Sequence, residues 1–588
     1  MAASRCKTHG GVGLDRIKSD TLVVCFLSLW WVANLLQATF MDLANDEAYY
    51  WYFSQHLDWG YFDHPPMIAL LVHLTAWMGG TIGIRLACTM LQPLYLWLFW
   101  KVIKPREATL HDALVYSLLC FSQPLLQLYG VLALPDAPLM AATVFLLWAY
   151  KRLCDNPNWA HTLLLGAAVA LLGYSKYHGA LVVALVFLSN PKMLRQWHLW
   201  VAGLLGLVLM APHFWWQYNH DWVSLRYHLL DRNSDGYRLS FTLEYLLLLL
   251  VLFNPVWIYH YAKAIVVRSP QRATPLQRAL HTLGIGFIVF FLASTLRGNV
   301  QPQWLLPVVF PCIELLFNRF RKQKYLTGAG FCMVFLFFTV RVMALANPIG
   351  LKGELWHQRE QYEAIAQVAG NRPVVFMHTY TAPPKYTFYT GGQAYCTPYY
   401  FNRHSQWQYD TSDRALAGKE VILCNFTNKQ SHLLPLAMGG GYRQLFYDTI
   451  ADYRPTRELV ATPLSPLGRT LPLTDGKADS TMRMAMDIQV YNPYDWDIYS
   501  TDSVPIRITA YYYQRRYMAT GSSVTLADTL RAHATTRIHC EFPVPRFATS
   551  TYTFGIAIDR AGLRPPDTGP RYKVRVVRNN DSIEIIPQ

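Results

Sequence analysis

The sequence predicts a polytopic α-helical membrane protein that carries a C-terminal α/β unit and a β-sandwich, and three observations predict it. Only 15% of the 588 residues are charged and 52% are hydrophobic, against roughly 25% charged in soluble domains. Long apolar runs at 21–40, 163–172, 199–212, 245–261 and 328–346 are bounded by polar or basic clusters, the hydropathy signature of spanning helices. After about residue 348 the pattern changes to short alternating segments punctuated by Pro, Gly, Asn and Asp, which read as strands and turns.

The net charge of +15 does not form the groove-lining patch of a nucleic-acid binder. The basic residues fall instead in short turns at 5–18, 101–106, 151–152, 192–195, 263–278 and 319–324. Lys and Arg concentrated in alternate loops mark the cytoplasmic side, so the partner they imply is the lipid bilayer. With the N-terminus inside, spans fall near 21–40, 84–102, 110–128, 136–153, 161–174, 178–190, 197–212, 241–262, 280–297, 303–318 and 325–346, about eleven in all. The first run is too long for a cleaved signal peptide. The apolar stretch 65–80 is short for the roughly 20 residues a span needs and reads as a helix at the outer interface.

An odd number of crossings leaves everything after Pro348 outside. The organisation expected is a transmembrane domain at 1–348, an external α/β domain at 349–455 and an external β-sandwich at 456–588. Ten cysteines include no CxxC pair, and Cys396, Cys424 and Cys540 in the tail leave one disulfide open.

Ionisable residues gather on the external segments, where charge at the ends of spans is costly unless solvated or paired. The first loop reads MDLANDEAYYWYFSQHLDWGYFDHPPM from Met41 to Met67. Asp46 is the candidate carboxylate to accept a proton from an attacking hydroxyl as a glycosyl group leaves a phosphate; with one base and a good leaving group, attack from the opposite face inverts the anomeric centre. Otherwise Asp46 and Glu47 cap an interfacial helix. Asp63 and His64 precede Pro65 and Pro66, whose fixed φ angles stiffen the chain. They either ligate a divalent metal, orient substrate, or form a plain turn.

Phosphate needs positive charge at the same surface. Lys176, in GYSKYHG, and Arg297, in LRGNVQPQW, suit that role, unless Lys176 only snorkels from a helix end. Asp136, in LALPDAPLM, positions a substrate hydroxyl, pairs with Lys176 or caps a helix. In the fourth external loop, His213, His220, Arg226, His228 and Arg232 are candidates to reach phosphate or metal, unless the histidines are simply solvated on an interfacial helix.

Taken together, these residues resemble the GT-C glycosyltransferases. They are the DE pair with its aromatics, the Asp63-His64-Pro65-Pro66 element, PDAP, a Lys between two short spans, and an Arg followed by LLPVVFP. The pattern is most similar to bacterial members akin to protein O-mannosyltransferases and lipid A aminoarabinose transferases, over roughly residues 20–350, with loop one the most specific part. The resemblance implies a GT-C fold, a polyprenyl-phosphate sugar donor and an inverting transfer with Asp46 as base. It also implies a metal ligand at Asp63, with His64 standing where those members carry Lys. Residues 349–455 are similar to the external α/β domain of such enzymes; the sandwich has no counterpart there.

The function expected is therefore an inverting hexosyl- or pentosyltransferase of the bacterial inner membrane. It moves one sugar from an undecaprenyl- or dolichyl-type phosphate to an external protein Ser/Thr, lipid A or other envelope glycan. Asp46 is the base, Glu47 and Asp136 orient, Lys176, Arg297 and His64 hold donor phosphate, and Asp63 with His228 is the candidate site of a divalent metal. The competing expectations are a lipid-linked saccharide transporter or flippase and an oligosaccharide ligase.

Overall fold

The computed structural model describes residues 9–232, 237–266, 272–377, 379–397, 404–426, 432–438, 441–464, 473–474, 483–502, 504–515, 518–526, 528–543, 550–560, 570–578 and 583–587. The chain divides into two compact units, Met1–Trp356 and His357–Gln588.

The first unit is helical: α1 His9–Phe40, α2 Asn45–Gln55, α3 Met67–Ala76, α4 Gly80–Ile103, α5 Leu110–Phe121, α6 Pro124–Tyr129, α7 Asp136–Asp155, α8 Trp159–Ser175, α9 His178–Leu188, α10 Trp197–Leu209, α11 Ala211–Asn219, α12 Val223–Arg226, α13 Leu239–Phe253, α14 Ile258–Val266, α15 Pro275–Ser294, α16 Val309–Phe320 and α17 Lys324–Ala346. Among the described residues four helices, α1, α4, α15 and α17, are long and apolar enough to cross a membrane, or six spans if each bent pair counts as one. The expected eleven therefore do not all appear as full-length helices. Prolines explain several of the breaks, because they lack the N–H that continues a helix. Pro124 starts α6 and splits the expected span 110–128, Pro212 lies at the 48° bend between α10 and α11, and Pro255 at the 72° bend between α13 and α14. The stretch at 65–80 is the ten-residue helix α3, as its length suggested.

Among the described residues an apolar core joins α1, α4, α5, α7, α15 and α16, where the Trp100 ring meets Tyr116 at a tilt and Phe317 edge-on, and Phe310 packs against Phe99. Near one end Asp20 of α1 accepts hydrogen bonds from Trp100 Nε1 (2.8 Å) and Lys104 Nζ (2.6 Å). The segment after α17 folds back on this unit: Trp356 Nε1 donates to the Ala344 carbonyl (2.9 Å), and the Asn45 amide at the start of α2 donates to Glu354 (2.8 Å).

The second unit opens with α18 Gln358–Ala369, β1 Val374–Met377, α19 Ala382–Thr390, β2 Ala394–Thr397, β3 Val421–Asn425, β4 His432–Met438 and β5 Gly441–Ile450. Its sheet runs β2-β1-β3-β5-β4, with β1 parallel to β2 and β3. Every residue of β1 and β3 is buried, the mark of a sheet covered on both faces. The strands β6 Val460–Pro463, β7 Leu473–Thr474, β8 Arg483–Tyr491, β9 Ile506–Arg515, β10 Met518–Leu526, β11 Thr535–Pro543, β12 Ser550–Arg560, β13 Tyr572–Arg578 and β14 Ile583–Pro587 follow. They form two sheets, β10-β9-β12-β13-β14 and β11-β8-β6. Inward residues of both sheets, among them Ile488, Ile508, Phe542 and Phe554, share one core, so the alternation read from the sequence is that of a sandwich.

Cys396, Cys424 and Cys540 are all buried free thiols. Cys396 on β2 and Cys424 on β3 both align with Phe376 of the strand between them, two strand spacings apart and beyond disulfide reach.

Candidate active site

The polar loop after α1 is fixed by one buried ion pair. Glu47 lies in the first turn of α2, where it accepts the Ala44 amide (3.0 Å). Arg85, from α4, donates Nε to Glu47 Oε1 (2.8 Å) and Nη2 to Oε2 (2.6 Å). Its Nη1 holds the carbonyls of Ala38 (3.1 Å) and Met41 (2.8 Å), and its Nη2 that of Asp42 (2.6 Å). The Ala133 amide, just before α7, donates to Glu47 Oε1 (2.7 Å). Both side chains are 0% exposed. Burial alone raises a carboxyl pKa, but the Arg85 charge and hydrogen bonds, with the Ala133 and Ala44 amides, hold Glu47 below its ordinary value. With both oxygens engaged by the protein, Glu47 orients the loop.

Asp46, the preceding residue, is half-buried. It is one of the charges acting on Lys176, together with Asp136 and Arg232. Lys176 sits in the break between α8 and α9, 6% exposed, and donates to Asp136 Oδ1 at 2.7 Å. Asp136 opens α7 and is 2% exposed; of the three roles read from the sequence, pairing with Lys176 is the one the geometry displays. Burial lowers the Lys176 pKa, and the Asp136 carboxylate opposes that shift.

Arg297 is exposed at the end of α15, and no contact joins it to this group among the described residues. Arg232 stands there instead. Its guanidinium lies 4.7 Å over the Trp304 ring and donates to Gln301 Oε1 (3.1 Å). Lys176, Arg232, His228 and His64 all act electrostatically on the buried His178 ring, so these cationic or protonatable groups share one neighbourhood.

His64 Nε2 lies 3.3 Å from the Tyr50 hydroxyl and its Nδ1 lies 3.0 Å from Asp63 Oδ1. His228 Nε2 donates to the backbone carbonyl of Asp63 (2.9 Å) and not to its carboxylate. Burial first, then the Arg232 charge, push His228 down to about 3, so its ring is neutral near pH 7. No three His, Cys, Asp or Glu side chains are gathered for a metal among the described residues.

The segment 211–228 is stitched over loop one. His213 Nδ1 pairs with the Trp59 carbonyl (2.7 Å), Trp216 Nε1 donates to Asp58 Oδ2 (2.8 Å), and Ser224 Oγ donates to the Tyr61 carbonyl (2.8 Å). Gln217 Nε2 reaches both the Tyr177 hydroxyl (2.8 Å) and Ser224 Oγ (2.7 Å). Gly60 is needed under this cover, because a Cβ there would lie 2.5 Å from Trp216 Cε3.

A helical unit whose acidic loop is folded near a buried Lys–Asp pair is followed by a mixed sheet, and the solved structures named below share this fold. The profile of the family described as dolichyl-phosphate-mannose-protein mannosyltransferase matches residues 63–216. The lipid A galacturonosyltransferase RgtD of Rhizobium johnstonii is 28% identical over 223 residues, covering 36% of this chain and 46% of that protein. The lipopolysaccharide core galacturonosyltransferase RgtA of the same organism is 28% identical over 202 residues, covering 32% and 40%; these matches span less than half the length of either relative. ArnT from Cupriavidus metallidurans in the apo state superposes with a TM-score of 0.55 at 13% identity, over 72% of this chain and 97% of that one. Its complex with undecaprenyl phosphate gives 0.54 at 14%, with the same coverage.

Proposed function

We propose that the protein is an integral membrane glycosyltransferase that moves a single sugar from a polyprenyl-phosphate donor to an external glycolipid or protein acceptor. The observation that carries this reading is the juxtaposition of Asp46 with the Lys176–Asp136 pair and Arg232. The charge of a half-buried carboxylate acts on a lysine suited to a phosphate. The relatives support the same class: two are named for adding galacturonosyl groups to lipid A or lipopolysaccharide core, and one structural neighbour holds undecaprenyl phosphate. A glycolipid of the cell envelope is accordingly the acceptor class we favour.

In this mechanism Asp46 accepts the proton of the acceptor hydroxyl as its oxygen attacks the anomeric carbon. The bond from that carbon to the phosphate oxygen breaks with inversion, and the electron pair leaves on the lipid phosphate. Lys176 and Arg232 stabilise the charge that develops there. Asp136 fixes the Lys176 ammonium, and Glu47 with Arg85 fixes the loop bearing Asp46. The site and the tail lie on the external, periplasmic face in this reading, since the basic turns then face the cytoplasm.

The test is to incubate purified protein with radiolabelled polyprenyl-phosphate sugars and membrane extract, then locate the label. Label in a glycolipid or protein fraction, absent with Asp46→Asn, is the expected result. Donor translocated across proteoliposomes with no new glycosidic bond would assign the transporter class instead.

A further inference from the structure

The helical unit holds a cavity of about 590 Å³ between α13, α14, α15 and α16. It is created by the 72° bend after Phe253. Asn254 takes φ 49°, and its side chain is bonded to the Ser122 carbonyl (2.7 Å) and the Val256 amide (3.2 Å), so α14 is swung away from the axis of α13. The walls are aliphatic and aromatic: Leu249, Leu250, Phe253, Tyr261, Ile285 and Leu315. This volume lies within the roughly 300–1,000 Å³ of ligand-binding cavities.

The ionisable groups of the lining, His281 and Arg319, stand at one end. His281 is in the second turn of α15 and Arg319 in the last turn of α16, beside the basic turns that carry Lys263, Arg278, Arg321, Lys322 and Lys324. The nearby acid, Glu314, is buried and engaged by Gln277 Nε2 (3.1 Å), by Asn318 and by His281 at 3.6 Å. That end is remote from the candidate active site: Arg232, Gln301 and Trp304 lie past the opposite end of α15, and His281 to Ser294 alone spans about 20 Å of helix.

We propose that this cavity binds an anionic phospholipid of the cytoplasmic leaflet, with an acyl chain between α13 and α15 and its phosphate on Arg319 and His281. The apolar walls suit a chain, and the cationic mouth suits a headgroup, since basic pockets between spanning helices on the cytoplasmic side hold anionic lipids. The leaflet assignment rests on the topology given above; the binding itself does not.

Native mass spectrometry of the purified full-length protein, exchanged into phosphatidylglycerol or phosphatidylcholine nanodiscs, tests the proposal. Retention of one phosphatidylglycerol is expected, with phosphatidylcholine lost. Arg319→Glu should weaken retention by about tenfold, Ile285→Trp should abolish it by filling the cavity, and Lys192→Glu, in another basic turn, should leave it unchanged. Equal retention of both lipids, indifference to Arg319→Glu and Ile285→Trp, or competition by undecaprenyl phosphate would overturn it. The readout needs no transferase activity, so it stands apart from the functional proposal. Labelling of Lys322→Cys by an impermeant thiol reagent from the cytoplasmic side alone supports the leaflet; labelling from outside overturns that assignment.

Discussion

Arg85 grips both oxygens of Glu47 while its remaining N–H groups hold three carbonyls at the end of α1. One side chain thereby ties α1, α2 and α4 together, and Glu47 adds the segment before α7.

Removing either partner leaves a buried charge uncompensated, which costs about 3–5 kcal/mol. Arg85→Met and Glu47→Ala should each lower the thermal midpoint of the detergent-solubilised protein strongly, and the double variant should recover part of the loss. Single variants that melt like wild type would show the pair to be dispensable.

Asp46→Asn should keep the wild-type thermal midpoint and donor binding while kcat falls by roughly 10²–10⁴-fold, the usual contribution of a general base. Undiminished turnover in this variant would remove Asp46 from the chemistry.

The sequence reading put Arg297 on the donor phosphate, whereas the proposed mechanism uses Arg232. Arg232→Ala should raise KM for the lipid donor about ten- to hundredfold through loss of a charge-assisted contact. Arg297→Ala should stay within about twofold, as exposed substitutions do. Steady-state kinetics with a polyprenyl-phosphate sugar distinguish them, and the reverse order would relocate the phosphate.

His228 is held at about 3 when folded, whereas a freed imidazole titrates near 6.5. Between these values the unfolded chain binds a proton that the folded chain refuses. Its contribution to stability is therefore full above about pH 6.5 and is lost as pH falls toward 3. His228→Gln preserves a donor for the Asp63 carbonyl and removes the titration. Its thermal midpoint should fall less steeply on acidification than that of the wild type; parallel curves would contradict the assigned burial.

Gly60→Ala drives a methyl group into Trp216. Overpacking of this kind costs about 1–3 kcal/mol, and the variant should expose the loop-one backbone to hydrogen exchange. Unchanged exchange would mean that the indole yields freely.

What the sequence showed and hid follows from how far each signal reaches. Hydropathy located the helices because it is a property of contiguous residues. The breaks at Pro124, Pro212 and Pro255 were also written locally, but a window averaged over a whole span passes across them. The pairing of Lys176 with Asp136 was accessible because both lie at span ends on one face. Arg85 was not, because it looked like one more basic residue near a helix start; its meaning depends on Glu47, 38 residues away on another helix. Arg232 was one of several basic residues in its loop, and only folding sets it over Trp304.

Because Glu47 and Arg85 bind loop one, the end of α1 and the approach to α7 into one frame, Asp46 and Asp136 are mounted on a common chassis. Sequence change there disturbs the chemistry before it alters preference. The cover formed by 211–228 is attached to loop one by a handful of side-chain hydrogen bonds, at His213, Trp216, Ser224 and His228. Directed evolution toward a new sugar or acceptor should therefore collect its productive substitutions in that cover and leave the chassis untouched.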